Sequence, residues 1–263
     1  MTTVFFLFLL HGSLGLLATL PLVPERAGAR FFKFCAATAA VMTTFAVGLG
    51  VRRFGLEGGE SAPGGGAYPG VIQATGAFLV LTVLYNRAWH FGWRGATGPL
   101  LGGALAAGLG ASLAAAGGAL PAASGLTSAL LVGAAASAMI LGHWYLVVLD
   151  LPIAALRRLT VLLIVALGLR ALSVGVALVG PVHAGFEEAR LVASGLWSAD
   201  GVFIWMRLLF GLAGPLSLVW FIWKTVEIRS TQSATGILYV QLFMVLAGEL
   251  LATYLRVAAR LPL

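Results

Sequence analysis

The sequence predicts an all-α fold: a polytopic integral membrane bundle of about eight transmembrane helices, forming a single domain over residues 1–263. Three observations lead there. The chain is 60% hydrophobic and only 10% charged, whereas a soluble domain carries roughly 25% charged residues. Its mean hydropathy is +1.00, more apolar surface than one soluble core can hide. The apolar residues fall into eight segments, each near the roughly 20 residues a helix needs to cross a bilayer.

The segments run over about 4–23, 32–51, 70–89, 99–120, 126–149, 160–179, 202–223 and 235–257. Pro21 and Pro24 end the first. It reads as a retained helix, because it lacks a basic n-region and Glu25 and Arg26 crowd the small-residue stretch Ala27-Gly28-Ala29. EGGESAPGGGAYPG (57–70) separates the second and third segments. Pro121 and Ser124-Gly125 part the fourth from the fifth. Asp150, Pro152 and Arg157-Arg158 mark the next turn. PVHAGFEEARLVASGLWSAD (181–200) is the longest polar connection, with spacing suited to a short amphipathic helix. Ser233 or Thr235 is the expected N-cap of the last helix.

Basic residues set the orientation. With the N-terminus outside, the inner side carries Arg26, Arg30, Lys33, Arg87, Arg94, Arg157, Arg158, Lys224 and Arg229. The outer side carries Arg52, Arg53, Arg190, Arg256 and Arg260. The balance places both termini outside, in what reads as a bacterial inner (cytoplasmic) membrane. Trp89, Trp93, Trp197, Trp220 and Trp223 lie near segment ends, as an interfacial belt would place them. The positive charges form no basic run, so nucleic acid is not an expected partner. Cys35 is the only cysteine, which excludes intrachain disulfides and cysteine-held metal clusters.

On the fourth helix, Gly102, Ala106, Gly110, Ala114 and Gly118 recur every four residues, beside a second row of Gly103, Ala107, Ala111 and Ala115. Small stripes let helices approach closely, so tight packing inside the bundle is expected there. A weak internal repeat also shows. His11 lies ten residues before Pro21 and His143 nine before Pro152, each ahead of a basic turn, which hints at a four-plus-four duplication.

Three ionisable residues fall deep inside spans: His11, Arg170 and Glu249, with Arg207 nearer one end. A charge at a helix centre costs roughly 2.5–3.5 kcal/mol on insertion scales, so each needs a partner. At about 1.5 Å per residue, all three lie roughly 18–21 Å from the inner boundary. They are therefore expected to form one polar layer, in which Glu249 and Arg170 neutralise each other. Gln241, Val245, Gly248, Glu249, Ala252, Thr253 and Arg256 follow helical spacing and put the small and polar residues of the last helix on one face. The plainer alternative is an ion pair that fixes helix register. A second polar layer is expected nearer the inner side, from His143, Tyr145, Gln241, Asn86 and His90.

These groups suit a quinone site, which needs hydrogen-bond donors and a group that exchanges protons. The leading expectation is thus an integral subunit of a respiratory or other electron-transfer complex, handling quinone or protons, with other membrane or redox subunits as partners. Span number and charge placement resemble quinol-interacting subunits of bacterial respiratory complexes in outline; no motif carries residue roles across. Haem b is the weaker cofactor candidate, with His90 or His143 as ligand. A small-solute or proton-coupled transporter is the rival class, and a structural subunit using charges as helix glue is the third. HExxH and GxSxG motifs are absent, which disfavours hydrolysis.

The topology is directly testable. Epitope tags at both termini should be reached by impermeant reagents from outside intact cells. Labelling of either terminus only after permeabilisation would reverse the assignment.

Overall fold

Every helix but two in this chain packs one face inward and turns another outward, and the two exceptions organise the rest. The computed structural model describes residues 1–52, 68–148, 151–184 and 201–258, with backbone alone at 68–69 and 177–184. The helices are α1 (Thr2–Ala18), α2 (Ala29–Gly50), α3 (Tyr68–Phe91), α4 (Arg94–Ala116), α5 (Ala119–Val147), α6 (Ala154–Ala184), α7 (Gly201–Glu227) and α8 (Thr231–Ala258). All eight are long and apolar enough to cross a membrane. The protein is an integral membrane helical bundle.

α1 and α5 are the central helices. In each, 72% of the spanning window is buried, against 22–39% in the others. Four helices pack in a ring as α1–α2–α3–α4, with α4 returning to α1, and α5–α6–α7–α8 form a second ring closed by α8 on α5. The rings join where α1 meets α5, flanked by α1 against α8 and α4 against α5. The same neighbour pattern thus occurs in both groups of four helices. His11 and His143 are nevertheless unlike: the first is buried and the second is exposed.

The α1–α5 crossing depends on glycine. A Cβ on Gly15 would collide with the backbone of Ala129, and one on Gly133 with the backbone of Gly15. Without side chains the helices come into backbone contact, the dispersion-driven packing that replaces the hydrophobic effect in lipid. A hydroxyl contact between Thr19 and Ser137 secures the same seam toward the basic end.

Several expected boundaries move, for local reasons. α1 stops at Ala18, and Leu20–Leu22 continue as a 3-10 turn around Pro21. α3 ends at Gly92, whose φ of 74° lets the Trp93 N–H reach the Ala88 carbonyl at 2.8 Å. Arg94 then opens α4 earlier than expected, anchored by an ion pair to Glu25 at 2.8 Å. Pro121 is not a separator: it sits in the first turn of α5, where its missing N–H costs nothing. α8 begins at Thr231, so Ser233 and Thr235 lie inside it, and Ser230 holds the cap position with its hydroxyl on that of Ser233. Residues 57–67 and 185–200, which carry most of the two long connections, lie outside the described residues, as does Trp197.

Two packing expectations are corrected. The row Gly102, Ala106, Gly110, Ala114 faces away from the bundle, and Gly118 is exposed beyond the end of α4. α4 is an edge helix, and its buried face is Ala104, Gly108, Ala111 and Ser112. Gly108 makes the close approach, because a Cβ there would stand 2.9 Å from Leu14 Cδ1 and 3.2 Å from the Phe78 ring. Trp89 is not in an interfacial belt; it is buried, stacked on Phe32 with centroids 4.3 Å apart. Trp93 and Trp220 are exposed as expected.

Gly15→Leu or Gly133→Leu should lower the unfolding temperature in detergent sharply, since overpacking a tight contact costs about 1–3 kcal/mol or more. Gly102→Leu, on the outward row, should stay within about 0.5 kcal/mol of the parent. Equal melting of all three variants would refute the crossing as the structural pivot.

Candidate functional site

Glu249 is placed by the small-residue face of α8. Gly248 meets Gly211 of α7 backbone to backbone, and Ala252 and Thr253 complete the buried strip. This close approach draws α7 in far enough for Arg207 to reach the carboxylate. Just past Arg207, α7 widens into a π turn at Leu209–Ala213, followed by Pro215. The wide turn accommodates a proline that would clash with the preceding turn of a regular helix.

The carboxylate of Glu249 lies between two guanidinium groups. Arg170 of α6 donates from Nε to Oε1 at 2.9 Å, and its Nη2 stands 2.9 Å from Oε2. The second contact is a close charge contact rather than an aligned hydrogen bond. Arg207 donates from Nη2 to Oε1 at 2.9 Å. All three side chains are buried, with exposures of 2%, 0% and 0% for Arg170, Arg207 and Glu249. α5 supplies further partners. Arg170 Nη1 donates to the Ser124 hydroxyl at 2.8 Å, and Ser128 faces the carboxylate. The Thr253 hydroxyl donates to the Glu249 carbonyl at 2.8 Å. One carboxylate thus ties α5, α6, α7 and α8 together.

His11 lies across the junction between the halves. Its Nε2 is 3.1 Å from the Ser112 hydroxyl of α4, and its Nδ1 has no hydrogen-bond partner among the described residues. Gly125 makes room for it: a Cβ there would meet His11 Nε2 at 2.8 Å and Arg256 Nη1 at 3.7 Å. Arg256 donates from Nη1 to the Pro121 carbonyl at 3.3 Å. The structure therefore brings His11, Arg170, Arg207 and Glu249 into one layer, with Arg207 a full partner of the carboxylate. It adds Arg256, Ser112, Ser124 and Ser128. The sequence places Arg256 on the Glu249 face of the last helix as well as among the outer flanking charges, and its contact with α5 needs the packing to be seen. Ser124 and Ser128, at i and i+4, share one face of α5, the one signal that could have indicated them. Among the described residues, Glu249 is the carboxylate of this layer, and Arg170, Arg207 and Arg256 are its cations.

The second group does not assemble. Tyr145 donates its hydroxyl to the Pro152 carbonyl at 2.6 Å and pins the turn before α6. Asn86 donates to the Lys33 carbonyl at 2.7 Å, joining α3 to α2. His143 is exposed, its Nδ1 3.2 Å from the Tyr239 hydroxyl. Gln241 is fully buried on α8, with neither amide atom bonded among the described residues. His90 is exposed at the end of α3, edge-on to Phe91. His90 stands at the end of α3 and His143 on α5, and both side chains are exposed. Among the described residues there is no group of three His, Cys, Asp or Glu side chains suited to a metal ion.

Comparison with protein-family models, curated proteins and solved structures finds no match.

Glu249→Gln should destabilise the protein by about 3–5 kcal/mol, because it leaves two buried guanidinium groups without their counter-charge. Arg207→Gln, which leaves Arg170 on the carboxylate, should cost less. The measurement is thermal or denaturant unfolding in detergent. If Glu249→Gln and Arg170→Gln both unfold like the parent, the ion cluster is not a structural centre.

Proposed function

We propose that this chain is an integral membrane subunit of an electron-transfer complex, with the His11 side of the polar layer handling a quinone or its protons. The observation that supports this reading is His11 itself. It is buried, it sits between the two halves, and its Nδ1 is uncommitted among the described residues. Glu249 is held by two guanidinium groups, so moving a proton through it would break ion pairs. His11 stands outside those ion pairs, and as a neutral imidazole it can offer a ring N–H to a quinone carbonyl. Quinone carbonyls accept hydrogen bonds and gain negative charge on reduction, so a donor-rich layer suits them. Redox partner subunits would carry the electrons. Quinone is the cofactor in this reading, with haem b the weaker candidate. The bacterial inner membrane, with both termini outside, is the proposed setting.

A second reading has its own support. Arg256, half-buried beside His11 and bonded to a backbone carbonyl, would also attract a small anionic solute, which a transporter would carry. One set of measurements separates the two. Quinone in the lipid extract of the purified protein, or co-purifying cytochromes in its optical spectrum, is the expected result, and His11→Phe should lower the retained quinone about tenfold. Anion uptake by the isolated protein in proteoliposomes, with no quinone retained, would replace the first reading with the second. Neither result would leave the charges as a structural tie between helices.

A further inference from the structure

We infer that the basic end of α6 holds a phospholipid with a negatively charged headgroup. A lateral groove of about 530 Å³ opens there, lined by Leu22 from the turn after α1 and by Arg157, Arg158, Val161, Leu162 and Val165 of α6. Its lining is ordered along the helix. Arg157 and Arg158 border it within the first two turns, chiefly with their aliphatic stems, and aliphatic side chains follow toward the bilayer interior. From Arg158 to Val165 the helix rises roughly 10 Å. Phosphate at the membrane boundary and hydrocarbon below it is the polarity of a phospholipid, in the matching direction.

Charge complementarity names the class. Arg157 and Arg158 are exposed, and the Arg157 guanidinium lies 5.2 Å from the centroid of the Trp223 ring, which limits its wandering. The carboxylate near Arg157 is Glu227, already engaged by the Lys224 ammonium at 3.0 Å and the Trp223 N–H at 2.7 Å. Among the described residues, neither arginine has a carboxylate of its own, and both guanidinium groups can face a ligand. A basic residue near the surface is worth about 1 kcal/mol toward an anionic lipid. A headgroup carrying its own cation, such as choline, gains less. The floor offers no polar partner to a free phosphate ion, whereas Val161 and Val165, 44% and 49% exposed, present apolar surface to an acyl chain. This inference is independent of any redox or transport role.

The test uses the full chain, delipidated in detergent and titrated with phosphatidylglycerol or phosphatidylcholine under native mass spectrometry. The expected result is about tenfold tighter binding of phosphatidylglycerol by the parent, and loss of that preference in the Arg157→Gln, Arg158→Gln double variant. Val161→Trp, which fills the slot and leaves both charges, should reduce binding of either lipid. Equal binding of both lipids by the parent would overturn the inference, as would a double variant that keeps the preference. Undiminished binding by Val161→Trp would show that the groove is not the seat. Both altered arginines and Val161 are exposed, so the variants should keep the parent's helical spectrum and elution volume.

Discussion

The ion cluster around Glu249 is the constraint on which the second half of the bundle depends. A carboxylate in an apolar interior is tolerable only with opposite charge beside it. Here Arg170 and Arg207 supply that charge from α6 and α7. Each guanidinium in turn needs the carboxylate, so three helices cannot separate without stranding a charge. The surrounding small residues follow from this need. Gly248 and Gly211 have to touch before Arg207 can reach Glu249, and the π turn and Pro215 shape α7 at the point where it bends to do so.

The first half is built differently. Its ring is closed by apolar packing around Phe78, Leu14 and Gly108, and it joins the second half through Gly15 and Gly133. That glycine crossing is what brings His11 to the edge of the charged layer. His11 and Ser112 come from one half, and Gly125 and Arg256 from the other. The layer thus has two parts with different chemistry. Around Glu249 the charges are locked, and the arrangement serves cohesion. Around His11, among the described residues, one ring nitrogen has no hydrogen-bond partner and no ion pair holds the side chain.

Much of this was legible from residue spacing. The pairing of Glu249 with Arg170 follows from equal depth on two helices and the cost of leaving either alone. The buried face of α8, from Gln241 to Thr253, follows from its 3.6-residue period. Depth alone misled for the second group. His143, Tyr145, Asn86 and Gln241 lie at similar levels, yet each points elsewhere, since level along a helix says nothing about direction around it. The outward row of α4 failed for a related reason. Gly102, Ala106 and Gly110 can mediate close packing, but only if another helix is there, and α4 stands at the edge.

The sequence by itself determined that the chain crosses a membrane, how many spans it has, and which charges must find partners. Those properties are local sums of hydrophobicity and charge, because lipid penalises each unpaired polar group wherever it occurs. Only the tertiary structure decided that Arg207 and Arg170 share one carboxylate, that Arg256 turns toward His11, and that the second polar group disperses. Those outcomes depend on which helices are neighbours and how each is rotated, and in this chain backbone contacts at Gly15, Gly133, Gly211 and Gly248 set both.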